Sequence, residues 1–209
     1  HAFPRATLSL GALVLAAATP LAHAHHAMDG ATPGTFMEGL LSGIAHPVIG
    51  IDHFAFLVVV ALVSAGIAGR LRYLLPLAFV LATVGGTLYH LGAADLPMAE
   101  TVIALSALLG GLFVVFKGSM SALLAGALFA SIGIFHGYAY GESIIGAETT
   151  PLLSYLIGFA AIQYAIVFAG VKLLSVLARR SAGMQQLAVR LGAGFATLTG
   201  ALFLGLGLA

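Results

Sequence analysis

The chain has 209 residues, 61% of them hydrophobic and 7% charged, with a formal net charge of +1. Soluble domains carry about 25% charged residues, so this composition excludes a water-clothed globular surface and offers no basic face for nucleic acid. Cysteine is absent, which removes disulfides, thiolate metal sites and cysteine nucleophiles together.

The pattern predicts an all-α integral membrane protein, a bundle of about six transmembrane helices behind a cleavable signal peptide. At the N-terminus, Arg5 precedes an apolar core from Leu8 to Ala18 that is too short to span a bilayer. Pro20 ends the run, and Ala22-His23-Ala24 supplies the small residues of a signal cleavage site. Residues 1–24 are therefore expected to be removed, leaving His25-His26 beside the freed α-amine. Residues 25–50 would form a periplasmic segment, within which Thr35 to Ala45 reads as a short amphipathic helix. Thr35 is its cap, with Glu38 three residues on. This helix would either lie at the membrane interface or fold into the mouth of the bundle.

Residues 51–209 would make the six-span domain. Its spans are expected from Ile51 to Gly69, Tyr73 to Leu91, Met98 to Phe116, Met120 to Ala139, Leu152 to Leu177 and Leu187 to Leu208, each near the ~20 residues a bilayer requires. Charges alternate between the joins. Arg70, Arg72, Lys117, Lys172, Arg179, Arg180 and Arg190 fall on one side, while Asp29, Glu38, Asp52, Asp95, Glu100, Glu142 and Glu148 fall on the other. Basic residues mark the cytoplasmic side, which places both ends of the mature chain outside a bacterial cytoplasmic membrane.

The histidines gather on the outer side. His46 and His53 flank the start of the first span, His90 ends the second, and His136 lies near the outer end of the fourth, before Glu142. Ionisable groups are costly in hydrocarbon, so several of them directed to one face indicate a shared polar site. In HPVIGIDH, residues 46–53, a continuous helix would put His46 and His53 on one face, seven residues apart. A break at Gly50 would instead place Asp52 in the first turn of the span, where the helix dipole favours a carboxylate. There Asp52 could cap the helix or fix a histidine tautomer. In FHGYAYGES, residues 135–143, His136 and Tyr140 share a helix face, and Gly137 and Gly141 form a small-residue pair that lets another helix approach. Gly85-Gly86 and Gly110-Gly111 read as further packing points, and Gln163 as a hydrogen bond between helices.

Together the two motifs resemble the signatures of the HupE/UreJ family of membrane proteins. HPxxGxDH is matched at His46, Pro47, Gly50, Asp52 and His53, and FHGxAHGxE at Phe135, His136, Gly137, Ala139 and Gly141. Tyr140 stands where the family has its second histidine, and Glu142 lies one position before the family's glutamate. The resemblance implies a permease taking up a divalent transition metal, nickel or cobalt, as its substrate, with no organic cofactor. Its metal-binding residues would be His46, Asp52, His53 and His136, assisted by Glu142, with His90 as a substitute donor and His25 and His26 as a capture site. Imidazole and carboxylate donors without thiolate suit Ni²⁺, Co²⁺ or Zn²⁺ better than Cu⁺. No phosphate-binding GxxxxGK[ST] motif occurs, so the energy source and any oligomeric or metallochaperone partner stay open. Two rivals remain: a metal-dependent intramembrane enzyme, disfavoured because no HExxH motif is present, and a membrane metal chaperone.

Overall fold

The computed structural model describes residues 31–92 and 95–207, and every regular element among them is helical. The expected signal peptide, the mature terminus with its His25-His26 pair, and Asp29 lie outside the described residues. In chain order the helices are α1 (Phe36–Ile49), α2 (Ile51–Gly66), α3 (Leu71–Leu74), α4 (Pro76–Leu91), α5 (Ala99–Val115), α6 (Ala122–Gly141), α7 (Thr149–Arg180) and α8 (Ala182–Gly207). A 3-10 turn, Glu142–Ile144, follows α6.

The start of α1 is set by the expected capping box. Thr35 Oγ1 accepts from the Glu38 amide at 3.2 Å, and Glu38 Oε2 accepts from the amides of Gly34 and Thr35 at 2.8 and 3.1 Å. These bonds satisfy amides that a helix start otherwise leaves without partners. Of the two placements open to α1, the bundle prevails. A methyl group on Gly39 or Gly43 would strike the backbone of Pro151 or Tyr155, and one on Gly158 would meet the Leu40 carbonyl. Backbone-to-backbone contact along α7 therefore holds α1, while Met37, Leu41 and Val48 remain exposed on its far side. That exposed face is apolar and suited to lipid.

The chain turns sharply between α1 and α2. The two helices are bent by 75° about Gly50, whose φ and ψ are −69° and 92°. Glycine is required there for space: a Cβ would lie 2.7 Å from the His53 ring. The continuous helix through residues 46–53 does not form.

Around α2 the remaining helices pack in pairs, α4 with α6, α5 with α8 and α1 with α7. Ala55, Phe56, Leu57, Val59 and Val60 of α2 are buried, and Phe79, Phe129, Val167 and Ala196 close over them from α4, α6, α7 and α8. The outward faces carry Leu81, Leu109, Leu123 and Leu198, each more than half exposed. An apolar exterior around an apolar core defines a multi-pass membrane protein.

Where the sequence pattern predicts six spans, the described helices supply four to five candidates and one shorter apolar helix. Among the described residues, four stretches, 71–91, 122–144, 149–180 and 182–207, are long and apolar enough to cross a bilayer, or five if the bent α1–α2 pair is one span. Helix α5 has 17 residues, about 25 Å of rise, short of the ~30 Å hydrocarbon core. The expected span, Met98 to Phe116, matches this helix and its two cap residues.

Close approach of α4 and α6 rests on glycine, as the small-residue pattern suggested. A Cβ on Gly137 would collide with the Thr83 carbonyl, and one on Gly86 with that of Ile134. Of the two glycine pairs read as packing points, Gly110, Gly111 and Gly86 meet neighbours, whereas Gly85 faces open space. Gly137→Ala is therefore expected to destabilise the protein by about 1–3 kcal/mol, and Gly85→Ala to leave it unchanged or slightly firmer. Thermal unfolding in detergent checks this, and equal losses for both substitutions would contradict the packing described.

Candidate metal centre

The break at Gly50 carries the HPVIGIDH residues into the interior. His46 sits in the last turn of α1, and Asp52 and His53 in the first turn of α2, each no more than 2% exposed. Pro47 lies inside α1, where it donates no hydrogen bond to the turn before it. His136 arrives from α6 fully buried, stacked on Phe56 at 4.8 Å between ring centroids and edge-on to Phe79 at 5.4 Å. His46, Asp52, His53 and His136 are thus enclosed by protein, with α1 supplying His46 to the cluster.

The hydrogen bonds assign the protons. Ser106 of α5 donates to the Ile103 carbonyl at 2.7 Å, so its oxygen accepts from Nε2 of His136 at 3.1 Å. That bond leaves the His136 lone pair on Nδ1. Nδ1 of His53 lies 2.9 Å from it and is the donor in the neutral pair. A similar argument fixes His46. Tyr155 donates to the Tyr140 carbonyl at 2.7 Å, so at 3.0 Å from His46 Nδ1 the phenol oxygen accepts. His46 therefore carries its proton on Nδ1, with Ser143 Oγ also 2.9 Å away, and its lone pair on Nε2.

Asp52 Oδ1 accepts from the His53 amide at 2.9 Å within the first turn of α2, whose N-cap is Gly50. Tyr140 lies between the rings of His46 and His53, with centroids 4.9 and 4.6 Å away, and its buried hydroxyl has no hydrogen-bond partner. Such an orphaned group costs about 1–3 kcal/mol, which a ligand or its bound water would recover. Among the described residues no three His, Asp or Glu side chains converge as a ready-made metal site. The centre has a dense donor set, but its nitrogens face one another across a proton.

Other expected residues stand apart from these rings. Glu142 is exposed at the head of the 3-10 turn, directly before buried Ser143. His90 is half-buried at the end of α4, packed on the Tyr138 ring at 4.1 Å and against Gly141. Tyr138 in turn donates to Asp95 at 3.4 Å. Sequence reasoning did not single out Ser106, Ser143 or Tyr155. Ser143 carried a signal, since it occupies the place of the glutamate in FHGxAHGxE; a lone hydroxyl in an apolar helix, as at Ser106, carries none.

A buried polyimidazole cluster at the α1–α2 break, inside a bundle of apolar helices, defines a class, that of multi-pass membrane proteins built around a polar interior site. The comparisons narrow it. The sequence profile described as "HupE / UreJ protein" matches residues 12–203, and the chain belongs to the HupE/UreJ family. It is 29% identical over 202 residues to Protein HupE of Rhizobium leguminosarum bv. viciae, covering 97% of this chain and 98% of that one. No solved structure matches.

Tyr155→Phe would remove the phenol that joins His46 Nδ1 to the Tyr140 carbonyl, leaving Ser143 Oγ beside His46. The expected result is a loss of about 1–3 kcal/mol in detergent denaturation, and unchanged stability would contradict the bridging role assigned to the phenol.

Proposed function

We propose that the chain is a cytoplasmic-membrane permease that takes up a divalent transition cation, nickel or cobalt, from the periplasm. The observation that carries this reading is the buried His53–His136 pair at the α1–α2 break, with one lone pair already held on His136 by Ser106. Membership of the HupE/UreJ family, associated with nickel and cobalt transport and not with catalysis, supports it.

A cation reaching Nδ1 of His136 meets that lone pair, while Nδ1 of His53 must yield its proton. A shift of the proton to Nε2 of His53 achieves this without changing the charge of the ring. Both nitrogens then offer lone pairs 2.9 Å apart, about the spacing of adjacent ligands around an ion with bonds of ~2.1 Å. Ser106 plays the part of an outer hydrogen-bond acceptor that orients a metal-ligating imidazole. Asp52 supplies negative charge beside the site, and His46 and the Tyr140 hydroxyl extend the donor set. Glu142, His90 and, where freed, His25 and His26 would gather the ion at the outer surface. A broken helix suits such a task, since its interrupted ends can rearrange around a substrate inside the membrane.

Three outcomes follow. In proteoliposomes, wild-type protein is expected to accumulate labelled nickel or cobalt in the lumen, and His53→Ala and His136→Ala to lose this by at least about tenfold, the lower end of the range for outer-shell changes alone. Metal that binds without reaching the lumen would overturn the permease and leave a metal chaperone. Ser106→Ala is expected to weaken metal affinity by about 10- to 100-fold while retaining the fold, and wild-type affinity would contradict the role given to Ser106. The absence of cysteine makes orientation directly readable. A cysteine at Glu142 should react with an impermeant maleimide in intact spheroplasts, one at Lys117 only after permeabilisation, and the reverse pattern would overturn the direction of uptake.

A further inference from the structure

Beyond the histidines the interior holds a second polar group whose bonding is incomplete. Gln163 of α7 is fully buried. Its amide donates to the Phe159 carbonyl at 3.0 Å and to Thr83 Oγ1 at 3.2 Å. Thr83 donates its own hydrogen to the Val80 carbonyl at 2.7 Å, so towards Gln163 it can only accept. Both partners thus demand the NH₂ group, which fixes the orientation of the amide and leaves Oε1 as the oxygen pointing elsewhere. Oε1 is buried and has no hydrogen-bond partner.

Thr83, the partner of this amide, lies beside the histidine cluster. Thr83 packs directly on Gly137, the residue after His136, and Phe79, one turn before Thr83, touches the His136 ring. Phe56 and Phe79 are 5.4 Å apart and both pack on that ring. Further along α2, buried Ser64 Oγ also lacks a partner, and α2 packs against α7 where Ala61 meets Gly170. A desolvated carbonyl oxygen fixed by two donated bonds is a costly arrangement in an apolar core. Packing between helices needs only the NH₂ bonds and gives no reason for it.

We propose that Gln163 Oε1 is a second cation station, receiving a partly hydrated divalent ion after it leaves the histidines. This rests on the permease reading. The amide oxygen is neutral, so it holds such an ion more weakly than imidazoles do, as onward release requires. Thr83 positions it by accepting one amide hydrogen.

The test uses full-length protein, Co²⁺ as probe, and two readouts, equilibrium binding in detergent and initial uptake into proteoliposomes. Gln163→Met keeps the volume and removes the oxygen. Binding within twofold of wild type with uptake reduced at least about tenfold supports the station, because a packing role alone would not separate the two readouts. Uptake within twofold of wild type overturns it while leaving the permease intact. Gln163→Glu supplies a second arm that does not depend on transport: one further Co²⁺ bound per chain supports the station, and unchanged stoichiometry overturns it. If wild type itself accumulates no Co²⁺, the permease reading falls, and the binding arm alone decides whether a second cation site exists.

Discussion

Everything about this molecule depends on putting imidazoles where there is no water. Three histidines and an aspartate, none more than 2% exposed, occupy the interior of a bundle whose exterior is apolar. Polar groups in such surroundings cost free energy unless each finds a partner. The fold answers with local hydroxyls: Ser106 for His136, and Ser143 and Tyr155 for His46. Each hydroxyl comes from a different element, so the cluster ties α1, α5, α7 and the 3-10 turn together while fixing which nitrogen of each ring carries the proton.

The break between α1 and α2 follows from the same requirement. A straight helix would place His46 and His53 seven residues apart and could not fold both rings around Tyr140. Bending by 75° at Gly50 brings their centroids to 5.7 Å. The bend exposes helix-end amides to an apolar interior, and Asp52 covers one of them. Irregular backbone at membrane depth is tolerated only where protein or an aqueous path surrounds it, and here α7 and α6 enclose it.

The sequence displayed much of this. His46, Asp52, His53 and His136 were legible because Pro47, Gly50 and Gly137 punctuate the apolar runs that contain them, and because charge alternation put them on one side. The capping box at Thr35 was legible for the same local reason. The place of α1 was not: its 14 residues are too few for a span, and its docking depends on Gly39 and Gly43 meeting a helix more than 100 residues later. Ser106 and Tyr155 were equally hidden, since only tertiary structure distinguishes a hydroxyl that orients an imidazole from one that bonds its own helix. Gln163 shows the reverse. Its bond between helices was expected and is present, yet its unpaired oxygen becomes visible only when both partners of the amide are known.

The measurement that reaches the central claim most directly is X-ray absorption at the metal edge of protein loaded with nickel in nanodiscs. Scattering from ring carbons distinguishes imidazole ligands from water and carboxylate. The account predicts at least two imidazoles bound at ~2.1 Å, both lost in the His53→Ala, His136→Ala double variant. A spectrum of oxygen ligands alone, or imidazole scattering unchanged in that variant, would contradict it.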